Sequence, residues 1–164
     1  MAGEAMSRVE RLAALLDEPL LVTSGVNVRY LIGLQSSNAA VLVEPDGEAT
    51  LFTDFRYAQK ARALGVRFEQ TARAVIGDLS TRLAGRTIWI EGDVVTVAAN
   101  EQMREGGVDT VPQSGLVERL RAVKEPGEIA TIREAAAISD KVFTALGEEQ
   151  FTGRTELQLA WRVR

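Results

Sequence analysis

From Met6 to Leu16 the apolar residues Val9, Leu12, Ala13 and Leu16 recur every three or four positions, with Arg8, Glu10 and Arg11 between them, which predicts an amphipathic helix. Ser7 followed by Glu10 has the spacing of a capping box at its start, and Pro19 stops it. Leu20–Thr23 is a short apolar run of the kind a buried strand uses. Ala39–Val43 and Thr50–Thr53 flank Pro45-Asp46-Gly47, where proline fixes φ and glycine accepts positive φ, so the two runs form a β-hairpin. A helix over Phe55–Ala63 closes at Gly65, and Val66–Glu69 reads as a strand. Ile76–Leu83 is helical and Thr87–Ile90 a buried strand. Val94–Arg104 is a helix capped by Asp93 or Thr96 and ended by Gly106-Gly107, and Val108–Val111 is a last strand before Pro112. Strands alternating with helices, plus one hairpin, give an α/β layer: a mixed β-sheet flanked by helices.

Beyond Pro112 the pattern becomes purely helical. Leu116–Val123 is a short helix broken by Pro126-Gly127. From Glu128 to Leu146 a stripe runs through Ile129, Ile132, Ala135, Ala136, Val142, Phe143 and Leu146. After Gly147 and Gly153, Thr155 caps a final helix in which Leu157, Leu159, Ala160, Trp161 and Val163 have no later element to cover them. The expected organisation is therefore an α/β domain over residues 1–115, followed over 116–164 by a linker helix and the first C-terminal helices of a second, unfinished domain.

Composition narrows the chemistry. The 46% hydrophobic and 26% charged residues are those of a globular protein, and 164 residues suffice for one large domain or one domain with an appendage. A net charge of −4, with arginines scattered among acidic residues as in Glu118-Arg119-Leu120-Arg121, predicts solvated helix faces and no nucleic-acid partner. No apolar run approaches a membrane span, the N-terminus lacks a secretory pattern, and the absence of cysteine fits a cytoplasmic protein. Histidine is absent too, which excludes Ser-His-Asp and Cys-His machinery, thiolate or imidazole metal sites and disulfides. No glycine-rich phosphate loop occurs. Glu91 and Asp93 resemble an acid/base carboxylate pair, but with only Gly92 between them a structural role is expected, Asp93 serving the start of a helix.

Four segments, in order, resemble one family. Asn27-Val28-Arg29-Tyr30-Leu31-Ile32-Gly33, after Leu20–Thr23, resembles the N-x-R-Y-L-x-G signature of creatinase/prolidase-type N-terminal domains. Thr53-Asp54-Phe55-Arg56-Tyr57, with Ala58 and Ala61, is similar to the family's T-D-x-R-Y-xxx-A segment. Ile90-Glu91-Gly92-Asp93-Val94-Val95-Thr96 matches its strand, acidic turn and helix start. Leu120–Ile129, with Ile132-Arg133 and Ala135-Ala136, resembles its junction into a pita-bread catalytic domain, and Thr155-Glu156 fits that domain's second helix.

The resemblance implies the N-terminal domain, with a ribonuclease H-like layer, of an Xaa-Pro metallopeptidase such as aminopeptidase P or prolidase (peptidase family M24). In that family two divalent metals, often manganese, activate the water that attacks the bond before proline. Their ligands lie downstream of the matching segments, so this chain is expected to hold no cofactor, to have no catalytic residue and to be inactive alone. It implies a homodimer in which the N-terminal domain shapes substrate access, with peptide bound only together with the catalytic domain. The candidate access or interface residues are Asn27, Arg29, Tyr30, Asp54, Arg56 and Tyr57, with the loop Gln35-Ser36-Ser37-Asn38. The residues themselves suggest plainer roles. Asn27 caps a helical turn, Arg29 forms a structural ion pair, Tyr30 packs in the core with its hydroxyl satisfied locally, and Asp54 accepts backbone N–H groups at a strand-to-helix junction. The alternative function is a stand-alone interaction module without activity.

Overall fold

A computed structural model describes residues 6–162. Six strands form one mixed sheet: β1 (Leu20–Val22), β2 (Ala39–Val43), β3 (Ala49–Thr53), β4 (Arg67–Gln70), β5 (Thr87–Glu91) and β6 (Asp109–Gln113). They lie in the order β4-β3-β2-β1-β5-β6. β2 is antiparallel to both of its neighbours, β1 and β3, while β3–β4, β1–β5 and β5–β6 are parallel. Five strands therefore point one way and β2 alone runs back, through the expected hairpin, whose Gly47 takes φ 91° and donates its N–H to Glu44 O.

The central strands are apolar at every position because both faces of the sheet are covered. Leu20, Val22, Val41, Val43 and Leu51 face one layer, built on α1 (Arg8–Ala13), α2 (Gly25–Ile32), α3 (Ala58–Arg62) and α6 (Leu116–Ala122). The alternate residues Leu21, Leu42, Phe52, Ile88 and Ile90 face α4 (Val75–Arg82) and α5 (Val97–Glu105) through Val75, Leu79 and Met103. The period of two along each strand is what feeds two cores from one sheet.

Several expectations are corrected locally. The N-x-R-Y-L-x-G segment is a full helix, α2, where the hydrophobic pattern had marked no element; its Ser24 N-cap hydroxyl accepts no capping hydrogen bond, and Asn27 sits inside it rather than capping a turn. Thr96, not Asp93, caps α5, by accepting from Ala99 N–H. Pro112 lies within β6, tolerated because β6 is an edge strand. The α1 box is as expected: Ser7 Oγ accepts from Glu10 N–H and Glu10 accepts from Ser7 N–H.

The described residues divide into two compact units, the first ending at Ala122 and including α6. The second contains α7 (Pro126–Gly147) and α8 (Glu156–Ala160). Pro126 and Gly127 begin α7 rather than separating it from its neighbour, since proline's missing N–H costs nothing in a first turn. Thr155 caps α8 in a box with Gln158, and Glu149 pairs with Arg154 (2.7 Å) and Arg162 (3.1 Å). No residue of α7 or α8 is buried, and Phe143 is 74% exposed. Val163, expected in the last apolar face, lies outside the described residues.

Candidate functional site

Because five strands run in parallel, their carboxyl ends share one rim of the sheet with the amino end of β2, the position at which open α/β sheets present polar groups. Two polar clusters occupy it.

The first gathers on Glu91, at the end of β5. Its Oε2 accepts the backbone N–H of Thr23 (2.6 Å) and Ser24 (2.7 Å) and the Thr23 hydroxyl (3.2 Å). Its Oε1 accepts from Asn27 Nδ2 at 2.7 Å. Asn27 is completely buried; Nδ2 also donates to Glu118 Oε1 (2.6 Å), and Oδ1 accepts from Arg121 Nη1 (3.0 Å). Asp93 is exposed and takes no part, so the carboxylates flanking Gly92 do not form a pair.

The second gathers on Asp54, just past β3. The Arg56 guanidinium grips it from the side, Nε to Oδ1 at 2.9 Å and Nη2 to Oδ2 at 2.6 Å, while Arg56 N–H donates to Oδ1. Asn38 Nδ2 donates to Oδ2 and to the carbonyl of Arg73. Arg56 lies 5.4 Å from the centre of the Tyr57 ring, and the Tyr57 hydroxyl accepts from Ser37 N–H (3.2 Å) and shares a hydrogen bond with Ser37 Oγ (2.9 Å). Asp54 thus ties the Ser37–Asn38 loop to the segment after β3. Its expected acceptance of backbone N–H is met by Arg56 N, and the guanidinium is the stronger partner.

Between the clusters lies a cleft of about 550 Å³ whose walls include Thr23, Ser36, Ser37, Asn38, Arg73 and Gln102. The remaining candidates lie elsewhere. Tyr30 is buried in the α1–α2 core, with Arg8 4.2 Å above its ring and bonded to its carbonyl; its hydroxyl makes no hydrogen bond among the described residues. Arg29 is exposed and forms no ion pair among the described residues, so the expected pairing is not made. Glu118 is exposed and Arg121 half-buried, in keeping with the solvated face read from sequence, yet both side chains reach the buried Asn27; their spacing of three on one helix face beside Val117 was the signal available.

The electrostatics follow the contacts. The Arg56 guanidinium, helped by Asn38 and Arg56 N–H, holds the Asp54 carboxyl well below the usual carboxylate range against the opposing effect of burial. Hydrogen bonding to Ser37 lowers the Tyr57 phenol from its ordinary value. Since the folded pKa of Asp54 is depressed, its stabilisation is complete above the unfolded value of about 3.9 and is lost as pH falls from there toward the folded value. Asp54→Asn is therefore expected to weaken the acid dependence of stability below about pH 4. Asp78, lowered by Arg82, and Glu10, lowered by Ser7, retain part of it. Urea midpoints measured between pH 2.5 and 6 check this, and parallel curves for both proteins contradict it.

The rim does not suit a divalent metal. Among the described residues no group of three or more Asp, Glu, His or Cys is placed to hold one, and Glu91 already accepts four donors. No helix among the described residues is long and apolar enough to cross a membrane.

Comparison with known proteins agrees with this architecture. The family model "Creatinase/Prolidase N-terminal domain" matches residues 8–123. The curated "Uncharacterized peptidase YqhT" of Bacillus subtilis (strain 168) is 28% identical over 152 residues, 86% of this chain and 42% of that protein. The chain thus spans less than half the length of that relative. Among solved structures, the Xaa-Pro dipeptidase from Bacillus anthracis has 26% identity and a TM-score of 0.84, over 95% of this chain and 46% of its own. The N-terminal domain of the cytoplasmic peptidase PepQ from Mycobacterium tuberculosis H37Rv has 31% identity and a TM-score of 0.62, over 69% of this chain and 97% of that one.

Proposed function

The chain belongs to the creatinase/prolidase N-terminal domain family, and from that premise we propose that it is the non-catalytic N-terminal part of an Xaa-Pro aminopeptidase- or dipeptidase-like protein. The observation that carries this reading is the match over residues 8–123 joined to a rim whose carboxylates are committed to arginine, asparagine and backbone N–H groups. Hydrolysis of the bond before proline, and the two divalent metals that supply activated water for it, are assigned to polypeptide outside this chain. Residues 123–164 open that catalytic part, with α6 as the linker helix on the first unit's side, and the protein works in the cytoplasm.

The role of this domain is to shape access for peptide and to build a homodimer. Asp54, gripped by Arg56, supports the access role by fixing Asn38 in the wall of the cleft, and Tyr57 does so by holding Ser37. Asn27, Arg29 and Tyr30 contribute through α2: Arg29 offers an exposed guanidinium, and the other two fix the helix that carries it. The experiment is direct. Purified chain incubated with an Xaa-Pro dipeptide and manganese is expected to release no proline, and sedimentation is expected to give a dimer. Turnover overturns the non-catalytic reading, and a strict monomer overturns the dimer role.

A further inference from the structure

We infer that Asn27 is a conformational latch for α6, a joint that fixes this helix to the first unit and whose failure releases the end of α6 without unfolding the sheet. Seven residues are far too few for a helix to persist in water by itself, so α6 exists only while it is docked. Its apolar hold is strongest at the start: Leu116 and Val117 are buried, Leu120 packs against the same core but is only partly covered, and Glu118 and Arg119 are exposed. Polar contacts supplement that apolar hold, and two of them converge on one carboxamide. Glu118 accepts from Asn27 Nδ2, and Arg121 donates to Asn27 Oδ1.

The chemistry explains why the joint is asparagine. Nδ2 has two hydrogens and the structure uses both, one for Glu91 on the sheet and one for Glu118 on α6. The carboxamide thereby separates two carboxylates that approach the same atom, and its oxygen still receives Arg121. Aspartate has the same shape but cannot donate; it would set a third carboxylate against the other two. The latch belongs wholly to the first unit, so it stands whether or not the peptidase reading does.

Hydrogen exchange of the full chain, resolved by segment, tests the latch. In Asn27→Asp the amides of residues 119–122 are expected to exchange about tenfold faster or more, while β2 and β3 keep the protection of the parent. Because a substitution on α2 can disturb folding in general, Glu118→Ala is the second variant; it leaves α2 intact and is expected to speed exchange in the same four residues. Combining Asn27→Asp with Glu118→Gln restores a donor–acceptor pair with its polarity reversed, and should recover part of the lost protection. Unchanged exchange at 119–122 in both single variants overturns the latch. So does an equal rise across β2, β3 and α6, which would make Asn27 an ordinary core residue.

Discussion

Glu91→Ala is expected to cost the first unit about 3 kcal/mol, and to lower its melting temperature by about 10 °C. Among the described residues the carboxylate is the only acceptor for the Thr23 and Ser24 N–H groups at the turn from β1 into α2, and it also holds Asn27. Truncation leaves those donors without their partner in a part-buried site, at about 1–3 kcal/mol for each that water cannot reach. Glu91→Gln keeps the shape but presents an N–H₂ group to donors on one side or the other, so about half the loss is expected. Thermal melts followed by circular dichroism check both. A Glu91→Ala protein within about 0.5 kcal/mol of the parent, the range of an ordinary surface change, would refute this account of the junction.

The second large effect is steric. Gly106 follows α5 with φ −74°, a conformation any residue adopts, so its glycine is not required by backbone geometry. It is required by proximity: a Cβ there would lie 2.6 Å from Ser80 Cβ and 2.7 Å from Ser80 O, on α4. Gly106→Ala must push α4 and α5 apart, against a core containing Leu79 and Met103, at a cost of about 2–3 kcal/mol. Because one of the clashing atoms is a carbonyl oxygen, adding Ser80→Gly should restore only part of the stability. Full restoration in urea unfolding would show that the backbone yields more easily than the contact implies.

Much of the fold is legible along the chain, and particular residues show why. Ser7 with Glu10, Pro45-Asp46-Gly47 and Thr155 with Gln158 are local devices whose partners lie within a few residues, so spacing alone reveals them. The apolar runs at Leu20, Val41 and Ile88 announce strands covered on both faces. What escaped was α2, because its Val28 and Leu31 are interleaved with Asn27 and Tyr30, which are also buried, and the pattern blurs. The attachment of Glu118 and Arg121 to Asn27 escaped for a related reason: their partner stands more than ninety residues earlier.

The candidate site divides in the same way. Asp54, Arg56 and Tyr57 are neighbours in sequence, and their mutual contacts are short-range consequences of the T-D-x-R-Y order. Their attachment to Ser37 and Asn38 exists only because the hairpin brings Thr53 opposite Ala39. The linear order of residues alone determined the alternation of strands and helices, the helix caps, the hairpin and the family, since each depends on periodicity or on contacts a few positions apart. Which polar groups meet at the sheet rim, that Asn27 joins α2, β5 and α6, and that a cleft opens between the two clusters were decided only in three dimensions. Those features need residues distant along the chain to meet, and a donor's geometry is settled by where its acceptor arrives.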